Sequence, residues 1–159
     1  MDKARVTQEI AASLRESLAL LDKAARASRA EATHESSKAE SKYDTRGLEA
    51  AYLADGQARQ AKELMASVKL YESLATKEFT AGEPADLTAL VELEADGARN
   101  WYFIGPKNGG VEIKLGRKEI TVITPSSPLG QSLMGKKKGQ SWTDRLGGLV
   151  VKYRIVSIS

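Results

Sequence analysis

From Ala4 to about Ala39, small or apolar residues return every seven positions: Ala4, Ala11, Leu18, Ala25, Ala32 and Ala39, with Leu14, Leu21 and Ser28 in the second seam position. Steps alternating between three and four gather these side chains on one narrow stripe of a helix, which only a second helix can cover. A second stripe follows in Ala51, Ala54, Ala58, Ala61, Met65 and Val68, flanked by Leu64, Leu70 and Leu74. Two seams joined by a short connection bury each other as an antiparallel hairpin. We therefore expect residues 1–78 to form an antiparallel coiled-coil hairpin with its tip near residues 40–49. With about 30 to 40 residues per helix at about 1.5 Å each, such an arm reaches roughly 45 to 60 Å. Its outer faces, with Arg15, Glu16, Arg29, Glu35, Arg59 and Lys62, must be solvated. A helical arm of this kind serves either as a spacer or dimerising element, or as a probe.

The period changes near Phe79–Pro84, where TAGEP supplies a Gly, a Pro and small polar residues suited to a linker over 79–84. Beyond it, DLTALVELEA, NWYFIG, GVEIKL, EITVIT and GLVVKYRIVSI are short runs rich in Val, Ile, Thr and aromatic residues. They are separated by DGARN, GPKNGG, GRK and RLGG, so they read as strands joined by turns. Between the last two runs, Ser127 is placed to cap a short helix starting at Pro128, with Leu129, Leu133 and Met134 on its buried side. The predicted fold class is α+β: the helical hairpin, then over 85–159 a mostly antiparallel sheet carrying one short helix.

Composition removes several function classes. The chain has no cysteine, which excludes disulfides, thiolate metal sites and thiol nucleophiles and agrees with a reducing cytoplasmic setting. The 24 Lys and Arg against 21 Asp and Glu leave a net charge of +3, too small to carry affinity for nucleic acid or membrane by itself. The excess lies in the second half: 79–159 holds 11 basic and 8 acidic residues, whereas 1–78 holds 13 of each. The N-terminal MDKARVTQEI carries Asp2, Lys3, Arg5 and Glu9 and has no apolar core, so neither a secretory signal nor a membrane span is expected.

Enzyme signatures are sparse. His34 is the sole histidine and reads as a solvated helix residue beside Glu31 and Glu35. GPKNGG joins two strands instead of opening a helix, so it reads as a hairpin turn and not a phosphate cradle. Lys136, Lys137 and Lys138 form the densest charge and suit either a solvated turn or an acidic partner. A proline-isomerase pocket would need an aromatic lining, and the available rings are Trp101, Tyr102, Phe103, Trp142 and Tyr153.

The segment ITVITPSSPLGQSLMGKKKGQSW resembles the C-terminal domain of the GreA/GreB transcription elongation factors, in which a strand leads into a Ser-Pro-Leu-Gly motif. Ser127, Pro128, Leu129, Gly130, Leu133, Met134, Gly135, Lys136 and Gly139 occupy the matching places. Ser126 stands where relatives often carry an acid, and Gln140 where they carry Asp. The order of elements agrees along the whole chain, the motif over about twenty residues. The resemblance implies a small FKBP-like second domain that docks at the rim of the RNA polymerase secondary channel through Ser126, Ser127, Pro128 and Lys136. It also implies an arm that enters the channel as an extended cytoplasmic monomer and meets the transcript 3′ end and the nucleic acid of the elongation complex, DNA included.

Family members that stimulate transcript cleavage bring two tip carboxylates to a magnesium ion of the polymerase active centre. The resemblance implies a factor with no cofactor of its own that is not itself an enzyme. Hard cations favour carboxylate oxygens, so two acids can complete a site whose other ligands belong to the polymerase. Here the corresponding run, within ESKYDTRGLEAAY, offers Asp44 and Glu49, aligned through Tyr52. They are five residues apart where the family pattern has three, with Leu48 and Ala51 at positions that are acidic in relatives. Five positions along one helix separate two side chains by about 140°, so the carboxylates converge only if Asp44 precedes the second helix and Glu49 lies in its first turn. The resemblance thus implies either stimulation of cleavage or regulation of the polymerase without it.

Overall fold

Helix α1 spans Lys3–Thr33 and helix α2 spans Arg46–Glu72. The computed structural model describes residues 2–33, 46–146 and 148–159. The chain divides into a helical unit, Ala11–Glu72, and a sheet unit made of Met1–Ile10 and Ser73–Ser159. No described helix is long and apolar enough to cross a membrane.

In the helical unit, Arg15 pairs with Glu72, and Ser28 donates to Gln57 Oε1 at 2.9 Å. Partners falling in number along α2 as they rise along α1 define an antiparallel pair. Ala11, Leu14 and Ala25 are buried on α1, with Leu18, Leu21 and Ser28 half-buried, which is the expected seam. On α2 the inward stripe runs through buried Ala54, Val68 and Tyr71 and half-buried Ala58, Ala61 and Leu64. Met65, placed in the seam by sequence, is 48% exposed, and Ala51 is exposed too. From Ala61 the stripe steps by three to Leu64, and one further residue turns Met65 about 100° out of it. Ala4 is likewise exposed, because Lys3, Val6, Thr7 and Ile10 do the burying in the part of α1 that belongs to the sheet unit.

The sheet unit contains β1 (Leu90–Ala95), β2 (Ala98–Ile104), β3 (Glu112–Leu115), β4 (Lys118–Ile123), helix α3 (Pro128–Leu133), β5 (Ser141–Leu146) and β6 (Leu149–Ile158). Strand order is β3-β4-β2-β1-β6-β5, antiparallel except for the parallel pair β2 and β4. The α+β class read from the alternating runs is therefore the class observed. Side chains alternate between two faces. Leu90, Phe103 and Val122 stand opposite one another on one face and are fully buried. On the other, Val91, Leu93, Ile104, Leu133 and Ile155 form a core against which Tyr102, Leu129, Met134 and Trp142 pack. Residues 79–84 contain a turn in which Thr80 N–H donates to Glu83 Oε2 at 2.7 Å. Beside it the Lys3 ammonium, almost fully buried, donates to the Lys77 carbonyl and lies 4.9 Å from the Phe79 ring centre. Burial lowers the Lys3 pKa, and the Glu78 carboxylate 3.9 Å away opposes that shift.

Candidate functional site

The Ser-Pro-Leu-Gly segment follows β4 and is built around one backbone carbonyl. Thr124 O accepts both the Ser127 N–H, at 3.0 Å, and the Ser127 hydroxyl, at 2.8 Å. The same hydroxyl accepts from the Gly130 N–H at 3.1 Å, which makes Ser127 the N-cap of α3. Such a cap contributes about 1 kcal/mol, and Pro128 at the first helical position has no N–H to leave unsatisfied. Gly130 is dictated by the crowding this produces. A Cβ there would lie 1.9 Å from Thr124 O and 2.9 Å from Ser127 Oγ. The spacing of Ser127 and Gly130 is thus one device, in which the serine folds the chain back and the glycine lets the helix pass the carbonyl.

The geometry separates the four sequence-named residues of this segment. Ser126 and Pro128 are exposed at the turn. The Ser126 hydroxyl lies 3.2 Å from Thr124 Oγ1, and its carbonyl accepts from Gln131 Nε2 at 3.2 Å. Ser127 is half-buried with its hydroxyl engaged twice, so it holds the shape that Ser126 and Pro128 present. Lys136 is half-buried, its ammonium 5.4 Å from the centre of the Trp142 ring, which stacks on Tyr153 at 5.2 Å. Lys137 and Lys138 are exposed.

The helix is fastened at its far end as well. Gly135 N–H donates to the Ala85 carbonyl at 2.9 Å, and Ala85 N–H donates to the Lys136 carbonyl at 2.7 Å. Gln140 Oε1 accepts the Lys137 N–H at 2.7 Å and closes the lysine turn. Only the residue's place after Gly139 hinted at a turn here. Ser132, which sequence reasoning passed over, donates to Asp144 and ties α3 to β5. That bond, followed by one from the Arg145 N–H, holds the Asp144 carboxyl below its ordinary value of 3.8. A depressed carboxyl stabilises the fold above its unfolded pKa and loses that contribution as pH falls through the folded value. The Tm difference between the native chain and Asp144→Asn is therefore expected to be present near neutral pH and to close as pH falls past 3.8 through the lowered value, in a pH series of thermal melts.

Of the two tip acids, Glu49 lies in the first turn of α2 and is exposed. Leu48 and Tyr52 beside it are 56% and 68% exposed. Asp44, with Glu40 and His34, falls outside the described residues. Among the described residues, no group of three or more His, Asp or Glu side chains gathers where a metal ion could be held. Glu49 alone is a single carboxylate, suited at most to completing a site supplied by another molecule.

No protein-family model and no curated protein matches the chain. Among solved structures it is similar to GreA factor homolog 1 (Gfh1) of Thermus thermophilus, with 23% identity over 94% of each chain and a TM-score of 0.39. It is also similar to Gfh1 of Thermus aquaticus, with 21% identity over 91% of this chain and 90% of that one and a TM-score of 0.38. The prokaryotic transcription elongation factor GreA/GreB of Nitrosomonas europaea matches 62% of this chain and 78% of its own, with 18% identity and a TM-score of 0.37.

Proposed function

We propose that the chain is a transcription factor of the GreA/GreB type, which binds RNA polymerase at the secondary channel and acts on backtracked complexes through the end of its helical hairpin. The observation that carries this reading is the Ser-Pro-Leu-Gly segment, in which the motif residues lock one another and leave Ser126 and Pro128 exposed on a rigid turn. A turn that loses little freedom on binding is suited to docking. Pro128 supplies a fixed surface, and Lys136, held over Trp142 past the far end of α3, supplies a positioned charge.

Cleavage stimulation requires Asp44 and Glu49 to meet at a magnesium ion in the polymerase active centre. In support, Glu49 lies exposed in the first turn of α2, where a spacing of five requires it, while Asp44 falls outside the described residues. A second reading, channel binding without cleavage, is favoured by Leu48, an exposed apolar side chain where relatives carry an acid. Pull-down with core RNA polymerase is expected to show binding that Pro128→Ala weakens by about tenfold, the effect of truncating one central contact. Absence of binding by the native chain would sink the proposal. In stalled, backtracked complexes, loss of 3′ RNA fragments that disappears in Asp44→Ala plus Glu49→Ala supports the cleavage reading. Binding with no fragment release selects the second.

A further inference from the structure

A second charged surface lies across the sheet from α3. Trp101 alternates with Tyr102 on β2, and Tyr102 packs against the core under α3, so Trp101 belongs to the opposite face. At that end of the sheet a cleft is lined by Arg99, Trp101, Lys114, Arg117, Lys118 and Glu119. Four cations line it, and the carboxylates within reach of them are Glu119, Glu92 and Glu94. The Lys118 ammonium is held 3.7 Å above the centre of the Trp101 ring, which fixes a charge that would otherwise swing freely. Arg117 is carried by the β3–β4 turn, where Gly116 takes φ +64°, and forms no salt bridge among the described residues. Lys114 pairs with Glu119 at 3.1 Å, but both side chains are more than 70% exposed. Such a pair is worth at most about 1 kcal/mol and yields readily to a stronger anion. Arg99 lies 3.8 Å from Glu92 and 3.7 Å from Glu94, and Glu94 is held more closely by Arg154, at 2.8 Å.

We infer that this cleft binds single-stranded nucleic acid through its phosphates. An acidic protein surface fits less well, because protein partners anchor on buried apolar side chains, and the one large apolar group here has a ring face already covered by Lys118. Phosphates need only donors along the strand's path, which Arg117 and Lys118 supply, while Lys114 and Asn100 line the cleft from the other face of the sheet edge. A recess on the scale of a few side chains admits one flexible strand, whereas a rigid duplex meets only its rim. The inference does not rest on polymerase binding, and α3 on the opposite face stays free for docking.

The test is fluorescence anisotropy of a labelled oligouridylate of about 12 nucleotides with the full chain and no polymerase. Saturable binding with a log–log salt slope of roughly −2, equal to about three phosphates on a single strand, is expected. Arg117→Glu with Lys118→Glu should weaken binding at least about tenfold, and Arg117→Glu alone, which breaks no contact with Trp101, about threefold. Lys137→Glu with Lys138→Glu removes the same charge on the α3 face and should change affinity by less than about twofold, the limit for a distant charge screened by salt. Thermal melts confirm that each variant is folded. No binding by the native chain, equal loss in both double variants, equal affinity for a duplex of the same length, or displacement by polyglutamate at equal charge would each overturn the inference.

Discussion

Gly130→Ala is expected to destabilise the sheet unit by roughly 3 kcal/mol, at the upper end of the usual cost of overpacking. In a unit of this size that corresponds to a fall in Tm of about 12 to 24 °C by calorimetry. The added methyl meets a backbone carbonyl at 1.9 Å, and that carbonyl already accepts two bonds from Ser127. It cannot step aside without breaking the turn, so α3 must move, and with it the bonds that Gly135 and Ser132 make to Ala85 and Asp144. Gly135→Ala is the informative contrast. Gly135 has φ +78° and nothing within 4 Å of its would-be Cβ, so only the left-handed backbone conformation is penalised, by about 1 kcal/mol. A Tm for Gly130→Ala within about 3 °C of that of Gly135→Ala would mean that crowding does not dictate the glycine.

The two glycines also show what can be read from a sequence. The seams of the helical unit were legible because helical period is a local property: Ala11, Leu18 and Ala25 are inward for the same reason that they recur. Met65 was misplaced because the stripe on α2 follows the 3.6-residue turn, which an ideal seven-residue repeat smooths over. Ser127 as a helix cap was legible too, since Ser followed by Pro is a start signal. That Gly130 must be glycine was not, because the obstacle belongs to Thr124, six residues away. The parallel pairing of β2 with β4 depends on a strand that crosses past β3, and the Lys136–Trp142 contact and the Ser132–Asp144 bond depend on how the turn after α3 brings β5 back to it. No periodicity records them. The candidate tip is the opposite case, with Glu49 placed in the first turn of α2 and its partner acid Asp44 outside the described residues.

Leu133→Ala is expected to cost about 2 to 5 kcal/mol, the range for deleting a fully buried leucine. It should appear as a lower urea midpoint with an unchanged slope, since the unfolded chain exposes nearly the same surface. Leu133 is completely inaccessible and is the one side chain of α3 buried among Val91, Leu93, Ile104 and Ile155. A cavity there loosens the base of the helix on which Pro128 sits. Leu133→Met, which nearly keeps the volume, should cost less than about 1.5 kcal/mol. Pro128→Ala touches the other end of the same six-residue helix, at an exposed position, and should shift the urea midpoint little while weakening polymerase binding. If α3 is a mount for the exposed turn, Leu133→Ala loses stability and docking together, Leu133→Met keeps both, and Pro128→Ala separates them. Docking retained in Leu133→Ala at temperatures where the sheet unit has lost its near-ultraviolet signal would place the binding surface elsewhere.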